Sequence, residues 1–267
     1  MVNLKDRYGS WAVVTGSSSG IGEEFARKLA SLGINIILIA RRKEKLEFLA
    51  HELQSKHDVD ILVISLDLTI DNFLEEIVEK IGDREVGILI NNAGSGYVGD
   101  FINADVDKEI KMIKLNCIAP TILTHHFVKE MAERKKGAVI FLGSILSFQP
   151  TPYSATYSST KVFNTFLGDS LWYELKKYGI DVLSLNPGGT DTEFVRLSAK
   201  VKNSPLVRST KQVVETALNA LGKKPSVMDG LLNKFLIFTG RLLPRRILIN
   251  ASGFISKKLY EGKNKNG

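Results

Sequence analysis

Residues Trp11-Ala12-Val13-Val14-Thr15-Gly16-Ser17-Ser18-Ser19-Gly20-Ile21-Gly22 run from a short apolar strand through a glycine turn into a helix that spans 20–32 and stops at Gly33. Glycine accepts the tight backbone such a turn needs and lets another backbone or a ligand come close. Gly16 permits the turn, Gly20 and Gly22 allow close approach, and the first amides of the helix face an anion such as a pyrophosphate. An ordinary strand-to-helix connection can carry the same glycines, so the surrounding pattern has to decide.

That pattern alternates. Apolar runs at 34–40, 61–66, 86–90, 138–142 and 180–185 are separated by helical stretches at 42–55, 70–81, 106–133 and 154–178. Continuous apolar strands alternating with helices predict a parallel sheet covered on both faces. Right-handed crossovers make it doubly wound. The expected fold is α/β, a single doubly wound parallel sheet of the Rossmann type with a helical C-terminal extension. Residues 1–222 are read as the dinucleotide-binding and catalytic domain, and 223–267 as a basic, amphipathic helical tail packed on or extending it. After residue 185, Asn186-Pro187-Gly188-Gly189 breaks the chain. A polar loop expected to be mobile over the site follows across 188–210, then a helix at 211–222.

The 267 residues are 44% hydrophobic, enough for a buried core and against disorder. The first residues lack an apolar signal-peptide core, and no uncharged apolar run approaches the ~20 residues of a spanning helix. The sole cysteine, Cys117, cannot form an internal disulfide, which fits a reducing compartment. A cytoplasmic protein is expected. His51, His57, His125 and His126 lack metal-site spacing, so no metal is expected. Cys117 is read as a small buried thiol.

Tyr157 and Lys161 lie one helical turn apart in Tyr157-Ser158-Ser159-Thr160-Lys161. A phenol of unperturbed pKa about 10 is a poor acid or base near neutrality. A cation one turn away favours the phenolate, and i,i+4 residues share a helix face. With the glycine turn, the pair points to hydride transfer assisted by tyrosine proton transfer. Taken singly, a helix-surface Tyr/Lys pair, a capping Ser144 and a buried polar Asn116 all have structural explanations.

The ordered set is more specific. The Thr-Gly-x-x-x-Gly-x-Gly spacing is followed by Asn91-Asn92-Ala93-Gly94, by Asn116 in a helix, by Ser144 after the fifth strand, by Tyr157 and Lys161, and by Pro187-Gly188 with Thr192 five residues past the proline. Over residues 8–222 the chain resembles the short-chain dehydrogenase/reductase family. The resemblance implies that Tyr157 is the general acid/base, that Lys161 lowers its pKa and bonds the nicotinamide ribose, and that Ser144 orients the substrate carbonyl. It also implies that Asn116 holds a water linking Lys161 to solvent. Gly16, Ser17, Ser18, Gly20, Ile21 and Gly22 would bind the cofactor, with Asp67 and Leu68 flanking the adenine. Asn91, Ala93 and Gly94 would line its middle, and Pro187, Gly188, Thr190 and Thr192 its nicotinamide end. A homodimer through the 106–133 and 154–178 helices also follows by analogy.

The second strand ends Ile39-Ala40-Arg41-Arg42, without the carboxylate that grips a ribose 2′-hydroxyl in many NAD enzymes. Guanidinium suits a phosphate by charge and shape. NADP(H) is therefore expected, with Arg41 the principal 2′-phosphate ligand and Arg42 or Ser17 as helpers. NAD(H) stays the alternative, and a solvated start of a charged helix is the structural reading of the two arginines.

Ten of the 36 Lys/Arg and two of the 29 Asp/Glu lie in 222–267, giving that stretch +8 and leaving 26 bases and 27 acids, or −1, elsewhere. Ser226-Val227-Met228 reads as at most a stub of a strand. Leu231, Phe235, Phe238 and Leu242 then share a helical stripe, and a second helical pattern follows Pro244 to Tyr260. Three readings stay open: a helix packed on the body or in a dimer interface, a lid over an apolar site, and a basic amphipathic contact with an anionic membrane across 231–260. Nucleic acid is disfavoured because the cations are interleaved with aliphatics. Similar tails in relatives of fatty-acyl and steroid ketone reductases lean the substrate toward an apolar ketone or secondary alcohol. The rival readings are a non-catalytic dinucleotide-binding scaffold and a membrane-surface protein on the same fold.

Overall fold

In the computed structural model, which describes residues 4–193 and 207–264, the apolar runs become strands of one sheet. These are β1 (Trp11–Thr15), β2 (Asn35–Ala40), β3 (Ile61–Ser65), β4 (Val86–Asn91), β5 (Gly137–Leu142), β6 (Ile180–Asn186) and β7 (Ser226–Met228). All pairs are parallel, in the order β3-β2-β1-β4-β5-β6-β7. The three-residue stub β7 thus joins the sheet edge beside β6.

Alternate residues of each strand feed two cores, as the twofold side-chain period requires. Val14, Ile36 and Leu38 pack with Phe25 and Leu29 of α2 (Gly20–Ala30), Leu46 of α3 (Lys43–Lys56) and Val213 of the Thr210–Ala220 helix. Val13, Ile37 and Ile39 pack on the other face with Ile77 of α4 (Phe73–Ile81) and Phe127 of a helix at Ala119–Glu133. Strands buried on both faces explain why they read as unbroken apolar runs.

Two features depart from the sequence reading, and a third expectation falls largely outside the described residues. A short N-terminal helix, α1 (Leu4–Tyr8), was not foreseen; its Arg7 Nη2 and Tyr8 hydroxyl donate to Asp181 Oδ2 at 2.7 and 2.8 Å. The stretch 106–133 is not one helix: α5 (Val106–Ile113) passes through a π-helical turn, Lys114–Ile118, into α6 (Ala119–Glu133). Pro120 has no N–H to return to the carbonyl of Asn116 four residues back, so the α-helical ladder cannot close there. Finally, much of the 188–210 loop expected to be mobile lies outside the described residues. Its two ends are zipped together, Asp191 N donating to Arg208 O and Arg208 N to Gly189 O, both at 2.9 Å.

The remaining helices are α7 (Ala155–Leu175), α8 (Thr210–Ala220), α9 (Leu231–Arg241) and α10 (Arg245–Asn264). Asp229, between β7 and α9, is fully buried and takes Arg208 Nε at 3.1 Å and Thr216 Oγ1 at 2.7 Å. Removing one partner of a buried ion pair strands the other. Asp229→Ala should therefore lower stability in urea unfolding by about 3 kcal/mol, whereas a change within experimental error would show that solvent already carries Arg208.

Candidate active site

Strand order reverses between β1 and β4, and the crevice beyond their C-terminal ends is where an open α/β sheet takes ligands. There the turn after β1 lies directly on the turn after β4. Gly16 and Gly20 have φ of +67° and +64°, in the left-handed region. A Cβ on Gly16 would sit 2.8 Å from Ala93 Cα, so no other residue permits this approach. The Thr15 hydroxyl accepts from Asn92 N and Ala93 N, each at 3.0 Å, and donates to Ile90 O at 3.1 Å. Asn92 Nδ2 returns to Thr15 O at 2.9 Å and Gly16 O at 3.2 Å.

From this knot a cavity of about 450 Å³ extends along the strand ends. At one end it meets Gly16, Ser18, Gly20 and Ile21, with Arg41, Arg42, Asp67 and Leu68 beside them. Ala93 and Gly94 line its middle. Ser144, Tyr157 and Lys161 line the other end with Pro187, Gly188, Thr190 and Thr192.

Four of the expected residues lie behind this surface. Ser17 is fully buried and its hydroxyl donates to Ile39 O at 3.4 Å. Gly22 serves packing, since a Cβ there would stand 2.5 Å from Gly16 O. Asn91, the last residue of β4, turns toward α6 and donates to Thr124 Oγ1 at 2.9 Å. Strand alternation gives Asn92 the opposite direction, and Asn92 rather than Asn91 lines the cavity. The sequence reading missed Asn92, Ser19, Ser95 and Lys111, although the twofold period could have singled out Asn92. Asn116 is the fourth: Oδ1 accepts from Ser95 N, and Nδ2 donates to Ser95 O and to Thr160 Oγ1, all at 2.9 Å. Both Nδ2 hydrogens are thereby used, and Oδ1 keeps one lone pair that could accept from a water.

Tyr157 and Lys161 rise from the first turns of α7 on one face. Lys161 Nζ donates to Leu142 O at 2.8 Å and lies 5.8 Å from the Tyr157 ring centre. Burial lowers the Lys161 ammonium to about 8, because a charge leaving water loses solvation. Burial raises the Tyr157 phenol above its ordinary value. Desolvation is the cause of the Tyr157 shift, opposite in direction to the depression expected from Lys161. Burial also raises the neighbouring Cys117 thiol, to about 11. Ser144 caps the short turn Ile145–Phe148, its Oγ accepting from Leu146 N at 3.2 Å. A polar network ties that turn to α7: Ser147 Oγ donates to Lys161 O at 2.8 Å, and Asn186 Oδ1 accepts from Ser144 N at 3.2 Å and Thr165 Oγ1 at 2.7 Å.

At the glycine end, Arg42 Nη2 donates to Ser19 Oγ at 2.7 Å and Ser18 Oγ at 3.0 Å, and Arg42 Nη1 meets Glu193 at 2.7 Å. Arg41 is largely exposed and lies 3.8 Å from Asp67. A cradle that only glycine leaves open, the N-terminus of α2 and two guanidinium groups fit the phosphates of a dinucleotide. Among the described residues no group of three His, Cys, Asp or Glu side chains gathers as a metal ion would need.

Residues 10–202 match the short chain dehydrogenase family model, and the chain belongs to that family. It is 36% identical over 225 residues to hydroxysteroid dehydrogenase-like protein 1 of Gallus gallus, covering 83% of this chain and 68% of that one. It is 34% identical over 223 residues to the very-long-chain 3-oxoacyl-CoA reductase of Neurospora crassa, covering 82% and 66%. A Pongo abelii relative named inactive hydroxysteroid dehydrogenase-like protein 1 is 35% identical over 224 residues, covering 82% and 68%. The chain thus spans about two thirds of the length of these relatives. Among solved structures, a 7beta-hydroxysteroid dehydrogenase studied for its stereoselectivity superposes with a TM-score of 0.88 at 24% identity, covering 94% of this chain and 99% of that one. A short-chain dehydrogenase from Sphingobium yanoikuyae in complex with NADPH gives 0.76 at 28% identity, covering 87% and 93%. The family identifies the chain as an oxidoreductase of hydroxyl and carbonyl groups that binds NAD(P).

The Thr15 hydroxyl accepts from the amides of Asn92 and Ala93, of which Asn92 N also donates to Ile90 O at 3.0 Å. Thr15→Val should cost about 1 kcal/mol in urea unfolding, the penalty for removing the acceptor of the half-buried Ala93 amide. It should also weaken dinucleotide binding in a fluorescence titration. Unchanged values in both would show that the knot is not needed.

Proposed function

We propose that the protein is an NADP(H)-dependent oxidoreductase interconverting an apolar ketone, acyl-like or steroid-like, with its secondary alcohol. The observation that carries this reading is that Ser144, Tyr157 and Lys161 line the same cavity that begins at the glycine turn. Bound there, the nicotinamide would supply the hydride. The protein's part is positioning and proton transfer. In reduction the Ser144 hydroxyl orients the carbonyl oxygen, and the Tyr157 phenol gives that oxygen its proton. The Lys161 cation stabilises the phenolate left behind. Asn116 acts on Lys161 indirectly, by tying the Ser95 loop to Thr160 of α7.

Preference for NADP(H) is supported by Arg41 and Arg42 at the cavity wall, by the absence of a carboxylate at the end of β2, and by the NADPH complex of a 28% identical family member. An apolar substrate is supported by relatives named for hydroxysteroids and very-long-chain 3-oxoacyl-CoA. Exposed Ile110 and Ile118, with Phe163, Phe166 and Tyr173 on α7, supply the apolar surface for a homodimer through these helices.

A non-catalytic binding role is the second reading, favoured by the relative named inactive. Tyr157→Phe separates the two. Expected is a loss of about 10²–10⁴-fold in NADPH-dependent reduction of apolar ketones, with NADPH binding unchanged. Binding without turnover by the unaltered protein across a broad ketone panel would establish the scaffold instead.

The depressed Lys161 predicts a pH effect of definite sign. Its cation is present below about 8 and is lost above it. The kcat/KM for NADPH, which reads the free enzyme, should therefore fall as pH rises through that value. A profile flat to pH about 10, where an unperturbed lysine titrates, would contradict the assignment.

A further inference from the structure

The two C-terminal helices are packed with their polarity reversed. Inward, α9 buries Asn233 and Ile237 and α10 buries Ser252 and Ser256, each pair one turn apart. Outward, α9 exposes Leu231, Phe235, Phe238 and Leu242, spaced as one helical stripe, and α10 exposes Ile247 and Phe254. A lone exposed apolar side chain needs no explanation, but a helix pair that hides serines and presents phenylalanines has its apolar face turned toward something outside this chain.

The charge around that face identifies its occupant. Between residues 231 and 261 stand Lys234, Arg241, Arg245, Arg246, Lys257 and Lys258 against a single acid, Glu261. Lys258 lies over the Phe254 ring at 4.4 Å, placing a cation at the edge of the apolar surface. Two copies of this face would bring like charges together, which opposes self-association through it. A planar surface that is apolar within and anionic at its rim matches both properties. Among the described residues no helix is long and apolar enough to cross a membrane. We infer that α9 and α10 form an interfacial docking surface for anionic lipid, lying in the headgroup plane.

The surface is bolted to the edge of the active-site cavity. Asn233 of α9 packs so closely on Gly188, a residue of the cavity wall, that a Cβ there would collide with it. On α10, Ser252 Oγ donates to Pro150 O at 2.7 Å, and Tyr260 stacks on Tyr153 with ring centres 5.6 Å apart. Docking would therefore set the cavity beside the lipid. The lipid contact belongs to the tail and does not depend on the redox chemistry.

Sedimentation of the full-length protein with phosphatidylcholine vesicles, with and without phosphatidylserine, tests it. Expected is co-sedimentation that phosphatidylserine strengthens and high salt weakens. Phe235→Glu/Phe238→Glu and, separately, Lys257→Glu/Lys258→Glu should each reduce the bound fraction at least about tenfold, with circular dichroism and melting unchanged because all four side chains are exposed. No sedimentation, or sedimentation that neither variant reduces, would overturn the proposal. So would a concentration-dependent dimer that ignores vesicles and is lost in Phe235→Glu/Phe238→Glu, since a second copy would then cover the face.

Discussion

The contact between the turn after β1 and the turn after β4 is the constraint on which the rest of the molecule turns. It needs Gly16, because a side chain there would strike Ala93, and it needs Thr15 and Asn92, whose hydrogen bonds hold the two strand ends at one spacing. Fixing those ends opens the crevice at the point where strand order reverses. It also aims the start of α2 into the crevice. Without that contact the alternation of strands and helices would still make a sheet, but the glycine turn would not share a cavity with Ser144, Tyr157 and Lys161.

The opposite end of the cavity depends on desolvation. Lys161 is buried and donates to Leu142 O, and its ammonium is pushed down to about 8 while the Tyr157 phenol is pushed up. Two groups with ordinary values more than adequate for staying charged or neutral at pH 7 are thus moved by the same cause in directions that weaken both charged forms. A further charge brought into this desolvated cavity acts on both groups more strongly than it would in water. The network through Ser147, Thr165 and Asn186 keeps Ser144 and α7 in register while those charges change.

What the sequence made legible is local. Strands buried on both faces announce themselves as apolar runs, and the glycine turn and the Tyr157/Lys161 pair are each readable from spacing along one element, whereas Ser144 is singled out by the family resemblance. What escaped was decided by distant partners or by parity. Asn91 and Asn92 differ only in which face of β4 they leave, and Ser17 differs from Ser18 and Ser19 only in the direction the turn gives it. Pro120 did carry a signal for the π turn at Lys114–Ile118, a missing donor four residues after Asn116. Thr165 and Asn186 carried none, since their bonds join elements far apart in the chain. The stripe on α9 was visible, but its outward direction depended on how Asn233 and Ile237 pack.

The proposed preference for NADP(H) rests on Arg41 and Arg42 at the glycine end of the cavity. Equilibrium titration of the full chain with NADPH and with NADH, repeated for Arg41→Ala, examines this most directly. NADPH should bind at least about tenfold tighter than NADH, and the substitution should erase most of that difference while leaving NADH affinity in place. Equal or tighter binding of NADH by the unaltered protein would contradict the assignment of the two arginines.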